Sequence, residues 1–145
     1  MQLEFYGAAD GVTGSCHIIR VGGHQLLLDC GMVQGRGEAE RSNREPFPFD
    51  PAQIDAVVLS HAHIDHSGRL PLLVQRGFGG PIYAQNATRD LCRVLLLDAA
   101  SLSERDAVYE SRRRKKNGQG PVEPLFTRGD AELALRQIQG LPYRQ

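Results

Sequence analysis

Three histidines and one aspartate fall within six consecutive residues, directly after a short apolar run. The hexad is His61-Ala62-His63-Ile64-Asp65-His66, and the run that precedes it covers residues 54–60. Imidazole and carboxylate groups are the ligands that zinc and similar divalent cations prefer. Packing does not explain four such groups, because burying them unpaired would be costly. The hexad therefore predicts a turn, at the tip of a buried strand, that holds metal ions.

The spacing within the hexad suggests how its side chains are shared between metals. His61 and His63 are two residues apart, so in an extended segment they point to the same side and can bind one ion. Asp65 and His66 follow after the chain turns, and we therefore expect two neighbouring ions. Two metals roughly 3.5–4 Å apart can hold a bridging hydroxide, and a bound metal brings the pKa of water to about 7. Asp65 is also a candidate acceptor for the proton of the attacking water.

Asp29 is a further candidate, because it closes the apolar run 26–28. Two interpretations are open: its carboxylate orients a metal ligand from behind, or it begins a turn before Gly31. Its position at the end of a buried strand favours the first. We therefore take Asp29 and Asp65 as candidate catalytic residues. The predicted metal ligands are His61, His63, Asp65 and His66.

Apolar runs and turn residues predict an α/β chain. Strands are expected at 3–8, 15–21, 25–29, 54–60 and 81–85, with a hairpin at Gly22-Gly23. Helices are expected at 68–76, from an N-cap at Asn86 to 116, and at 127–139. Residues 31–53, rich in glycine and proline, are expected to form a loop. Strands and helices alternate after residue 54, which indicates a sheet covered by helices. The strand 54–60 and the apolar first half of the long helix are expected to be buried.

Composition excludes several classes of protein. Basic and acidic residues are equal at 17 each, so no global charge favours a polyanionic partner. The N-terminus lacks the features of a signal peptide, and the longest apolar stretch, 94–97, is too short to span a bilayer, so no membrane partner is expected. Cys16, Cys30 and Cys92 are an odd number at scattered spacings. They predict buried free thiols in a reducing compartment, with the cytoplasm as the expected location.

Some residues allow two interpretations, and the sequence leaves both open. The basic run 112–116 is either a contact for RNA phosphates or a solvated helix end whose charges complement the macrodipole; we favour the second. Phe47 and Phe49 are either platforms for a base or plugs that hold their loop on the core, and again we favour the second. His17, in a strand, and His24, beside a turn, are not expected to bind metal.

The hexad and the segments around it resemble a known family. His-X-His-X-Asp-His after a buried strand resembles the metallo-β-lactamase fold. The segments GVTGSCH (11–17), LLDCG (27–31), PFPFDP (46–51) and SGRLPLL (67–73) look like the β-CASP subgroup of RNA-processing nucleases. Similar segments at 80–84 and 122–126 extend the resemblance over the whole chain.

The resemblance implies a fold, a cofactor and a reaction. Asp29 matches the first motif of the family, and His61, His63, Asp65 and His66 match the second. The family implies two zinc ions, a four-layer αβ/βα sandwich with a mixed sheet, and hydrolysis of RNA phosphodiesters.

The family also implies residues that this sequence lacks. It places another histidine, a bridging aspartate and a final histidine beyond an inserted RNA-clamping domain, whereas no histidine follows His66. Residues 1–145 are therefore expected to form a partial metallo-β-lactamase domain, the N-terminal half of the sandwich, in which each metal keeps two protein ligands. We expect this chain alone to be a weak or inactive hydrolase. We also expect exposed surfaces that favour association, including a homo-oligomer.

Three functions follow from these observations. The first is a zinc-dependent RNA nuclease of the β-CASP type, with RNA as the partner. The second is a metallohydrolase of a small ester, thioester, lactone or lactam, which the segments around the hexad disfavour. The third is a non-catalytic scaffold in an RNA-processing complex, which the intact hexad disfavours.

Overall fold

A computed structural model describes residues 1–35 and 37–144 as one six-stranded mixed sheet with helices on one face. The strands are β1 (Gln2–Gly7), β2 (Cys16–Val21), β3 (His24–Leu28), β4 (Ala56–Val58), β5 (Ile82–Gln85) and β6 (Ile138–Leu141). The helices are α1 (Glu38–Arg44), α2 (Ile64–Ser67), α3 (Leu70–Gln75), α4 (Asn86–Lys116) and α5 (Arg128–Gln137). Spatial order follows chain order, with antiparallel pairing from β1 to β3 and parallel pairing from β3 to β6. The predicted α/β class with a mixed sheet is confirmed.

One row of paired side chains crosses the sheet and forms the centre of the core. Successive strands align so that their inward residues are register partners. Each member of the row is at most 7% exposed: Ile18, Leu27, Val57, Ile82 and Ile138. Leu73 of α3, Leu96 of α4 and Ala134 of α5 belong to the same buried cluster. Because side chains alternate along a strand, every second residue of each strand faces the helices.

The other face of the same strands is apolar but open. Leu3, Phe5 and Val58 are 48%, 61% and 41% exposed. Ile19, the register partner of Leu3, and Leu26, the register partner of Ile19, are only partly buried. The expectation that the strand at 54–60 is buried on both faces is therefore wrong, because helices of the described chain cover one face alone.

Several element boundaries differ from the predictions. The predicted loop 31–53 contains α1, because the good helix formers of residues 38–44 lie between its glycines and prolines. The strand predicted at 54–60 shortens to three residues. The helix predicted at 127–139 ends at Gln137, and β6 replaces its last turn by pairing with β5. The hairpin is confirmed, since Gly22 and Gly23 have φ of 58° and 85°.

Helix α4 covers the predicted range but is less buried than expected. Its N-cap is Gln85, whose side chain accepts a hydrogen bond from the Ala87 N–H, and not Asn86. Leu91 and Val94 are 57% and 65% exposed, so the expectation that the first half is buried all round is wrong. A single stripe faces the core, with Cys92, Leu96 and Ala100 at intervals of four residues. No helix among the described residues combines the length and apolar character needed to cross a membrane.

The predicted burial of the three cysteines as free thiols is confirmed, and so is the interpretation of Phe47 as a plug on the core. Cys16, Cys30 and Cys92 are free and buried. Burial raises the pKa of the Cys92 thiol to about 11 and also raises that of Cys30, which keeps both thiols protonated at neutral pH. Phe47 is buried, and the Arg69 guanidinium carbon lies 4.2 Å from its ring centroid. This ring therefore holds its loop on the core.

Adjacent valines of β4 test whether helices cover only one face of the sheet. Val57→Thr places a hydroxyl in the helix-covered core and should lower the free energy of unfolding by about 1–3 kcal/mol. Val58→Thr makes the same isosteric change on the open face and should stay within about 0.5 kcal/mol of wild type. Chemical denaturation followed by circular dichroism measures both. Equal losses would mean that the open face is covered in solution.

Candidate metal centre

The candidate site lies at the edge of the sheet where β3 and β4 end and β2 begins. Parallel neighbours bring their carboxyl ends to one edge, and an antiparallel neighbour begins there. Asp29 directly follows β3, Ser60 and His61 follow β4, and Ser15 directly precedes β2. Strand topology alone therefore brings these residues together, although up to 46 positions separate them in the sequence (from Ser15 to His61).

The Asp29 carboxylate is the buried centre of this edge. Its Oδ1 accepts the Ser60 N–H at 2.8 Å, and its Oδ2 accepts the hydroxyls of Ser60 at 2.9 Å and Ser15 at 3.1 Å. The Nδ1 atom of His66 lies 2.8 Å from the same Oδ2. Asp29 has a φ of 58°, a left-handed conformation that aspartate adopts more readily than most residues. A contact between Asp29 and a hexad histidine is what the orienting interpretation requires.

The hexad side chains form one cluster beside Asp29. The ring centroid of His61 lies 4.6 Å from that of His63 and 4.0 Å from that of His66. The Oδ2 atom of Asp65 lies 3.6 Å from the Nε2 atom of His66. The structure thus brings all the predicted site residues into one place. The other two histidines lie elsewhere: His17 packs edge-on against Phe5, and His24 lies near Asp55 beside the hairpin.

Backbone hydrogen bonds attach the hexad to the end of β3. The Cys30 N–H donates to the His66 carbonyl at 2.8 Å, and the Met32 N–H donates to the Ile64 carbonyl at 3.0 Å. The Ser15 N–H donates to the Asp65 carbonyl at 2.9 Å. The approach is so close that a Cβ at Gly31 would lie 1.7 Å from the Asp65 carbonyl oxygen. Position 31 therefore needs a residue without a side chain.

Three of these residues were missed as site residues by the sequence analysis. Gly31 carried a usable signal, because a glycine beside a candidate site residue can mark a close backbone approach. Ser15 and Ser60 carried none, since an isolated serine next to a strand has no distinguishing pattern. Their contacts with Asp29 arise from strand pairing.

The donors fit a zinc site in chemistry but do not complete a coordination shell. Imidazole nitrogens and a carboxylate are the expected ligands, and a catalytic zinc takes three protein ligands plus water. Within residues 1–35 and 37–144, no group of three or more His, Cys, Asp or Glu side chains is arranged to hold a metal ion.

The basic run 112–116 forms the solvated end of α4. The guanidinium of Arg113 pairs with Glu110 at 3.4 Å on the exposed helix surface. Four basic residues lie in the last turn, where cations complement the partial negative charge of the carbonyl end. This placement supports the helix-end interpretation.

Comparison with known proteins assigns the family. The model of the metallo-beta-lactamase superfamily matches residues 9–141. The chain belongs to this superfamily. Its relatives include Ribonuclease TTHA0252 of Thermus thermophilus, which is 43% identical over 143 residues, or 99% of this chain and 28% of that protein. The metallo-β-lactamase fold inferred from the hexad is therefore confirmed.

Two further relatives extend the comparison. Transcription termination factor FttA of Methanosarcina mazei is 36% identical over 77% of this chain and 18% of its own length. Integrator complex subunit 11 of Danio rerio is 35% identical over 63% of this chain and 16% of its own length. These similarities confirm the resemblance to the β-CASP subgroup. The chain spans less than a third of each of these three relatives.

Two glycine substitutions test the close approach at the site. Gly31→Ala should force the hexad turn away from β3 and lower the free energy of unfolding by about 1–3 kcal/mol, with shifted amide resonances at Asp65 and His66. Gly79→Ala is the matched control, because a Cβ there meets nothing within 4 Å. Denaturation and two-dimensional NMR measure both effects. Wild-type spectra around the hexad in the Gly31 variant would contradict the packing described.

Proposed function

We propose that this chain carries part of the active site of a zinc-dependent hydrolase of RNA phosphodiesters. The proposed metal ligands are His61, His63, Asp65 and His66. One observation carries the proposal: the buried Asp29 carboxylate lies 2.8 Å from Nδ1 of His66, whose Nε2 is on the side of Asp65. A histidine held by a carboxylate through one nitrogen is the usual arrangement of a metal ligand. The 43% identity to a ribonuclease supports RNA as the substrate class.

Each carboxylate has its own proposed role. Asp29 is buried and engaged by donors from Ser15, Ser60 and His66, so it acts by positioning. Asp65 is partly exposed and lies on the Nε2 side of His66, where it serves as a ligand and as an acceptor for the proton of the attacking water. Zinc, when bound, supplies an ionised water at neutral pH.

We further propose that residues 1–145 form a partial domain. The missing ligands and a cover for the open sheet face would come from other residues of a longer protein, or in part from a second copy of this chain. Three observations support this: the chain covers 28% of Ribonuclease TTHA0252, the described donors do not complete a shell, and apolar side chains lie exposed on β1 and β4. The free buried thiols fit a reducing compartment such as the cytoplasm.

Zinc binding by histidine variants tests the ligand assignment. His63→Ala should weaken zinc binding by at least tenfold, because it removes a direct ligand. His24→Ala is the matched control, since it removes an imidazole at the hairpin and should leave zinc binding unchanged. Isothermal titration of the metal-free chain with zinc measures both. Equal losses in the two variants, or no zinc binding by the wild type, would contradict the assignment.

Substrate assays separate the three candidate functions. The zinc-loaded chain is offered a labelled RNA oligonucleotide and a thioester, and we expect slow zinc-dependent cleavage of the RNA alone. Turnover of the thioester without RNA cleavage would favour the small-substrate hydrolase. RNA binding with no cleavage, in a chain that does not bind zinc, would favour the scaffold.

A further inference from the structure

We propose that Ser60 is a positioning residue. Asp29 orients the Ser60 hydroxyl, this hydroxyl accepts a hydrogen bond from His61, and the bond fixes which nitrogen of His61 faces the proposed metals. This inference rests on the proposed function and deepens it. It concerns a hydroxyl directly before the hexad that the sequence analysis did not single out.

The proton of the Ser60 hydroxyl is committed to Asp29. A carboxylate has no proton to donate, so it can only accept. The Ser60 Oγ atom lies 2.9 Å from Asp29 Oδ2, and the Ser60 N–H donates to Oδ1 at 2.8 Å. This two-point contact fixes both the position of the serine and the direction of its O–H bond.

The same hydroxyl must therefore accept from His61. Its oxygen lies 3.0 Å from the Nδ1 atom of His61. A hydroxyl has one proton, and that proton already points at Asp29, so a hydrogen bond here requires the hydrogen to be on Nδ1. In a neutral imidazole this leaves Nε2 of His61 with its lone pair free.

Asp29 favours the same tautomer, with hydrogen on Nδ1, in His66 through direct contact. The Nδ1 atom of His66 lies 2.8 Å from Asp29 Oδ2 and 3.3 Å from the Ser60 hydroxyl. Both rings therefore turn their Nδ1 atoms towards one hydroxyl and one carboxylate, and both Nε2 atoms away from them. One buried carboxylate thus prepares two metal-binding nitrogens, the first by contact and the second through Ser60. Among the described residues, His63 has no hydrogen bond to either group.

Nitrogen-15 NMR of the imidazoles tests the proposal without metal or substrate. At about pH 8.5, roughly two units above the ordinary histidine pKa, long-range proton–nitrogen correlations report the tautomer of each ring. We expect His61 and His66 of the wild type to carry hydrogen on Nδ1. In Ser60→Ala, His61 should lose this preference, with a larger share of its hydrogen on Nε2, while His66 keeps its hydrogen on Nδ1. Ser60→Thr retains the hydroxyl at an exposed position and should behave as the wild type.

Two outcomes of this experiment would overturn the proposal. The first is a wild-type His61 with its hydrogen on Nε2, a result that needs no variant to fold. The second is a His61 tautomer that is the same in Ser60→Ala as in the wild type. The His66 tautomer serves as the internal check that the Asp29 contact survives in each variant.

Zinc titration then connects the tautomer to the metal. Ser60→Ala should weaken zinc binding by about 10–100-fold, the usual loss when a group supporting a ligand is removed, and Ser60→Thr should not. A changed tautomer with unchanged zinc affinity would overturn the positioning role. If the wild type binds no zinc, the proposed function fails, while the metal-free tautomers still decide whether Ser60 controls His61.

Discussion

The buried carboxylate of Asp29 is the interaction on which the candidate site depends. It receives donors from the start of β2, the end of β4 and the hexad. Burying a charged group without partners costs several kcal/mol, so the arrangement is stable only while these donors remain in place. Hydrogen bonds to a charged acceptor are also about twice as strong as neutral ones. One side chain therefore joins three segments of the chain and orients the hexad.

The inward row of buried side chains fixes the register of the strands, and this register sets the position of the Asp29 carboxylate. Ile18, Leu27 and Val57 are register partners on β2, β3 and β4, and their common burial fixes how far each strand extends. A slip of one residue would expose the row, so the core determines register. That register sets Ser15, Asp29 and Ser60 at the same edge. The site is thus a consequence of core packing on the helix-covered face.

The sequence predicted the parts of the site that depend on local patterns. The hexad and the placement of Asp29 after an apolar run are both visible in single segments. The role of Ser60 was not visible, because its partner Asp29 is 31 positions away and only parallel pairing joins them. The same reason explains β6, whose short segment becomes a strand only against β5. The exposed side of α4 was missed because apolar composition does not show how many neighbours a helix has.

The hydrogen-bond pattern also determines from which side a metal shell can be completed. The Nδ1 atoms of His61 and His66 both face Ser60, and the Asp29 carboxylate behind it is engaged on both oxygens. Free donor positions therefore lie on the opposite side, where the Nε2 atom of His66 and the Asp65 carboxylate are 3.6 Å apart. Any additional ligand has to approach from that side, because Asp29 and its donors occupy the other. Under the proposed function, a segment that completed the shell would meet histidines whose lone pairs already point towards it.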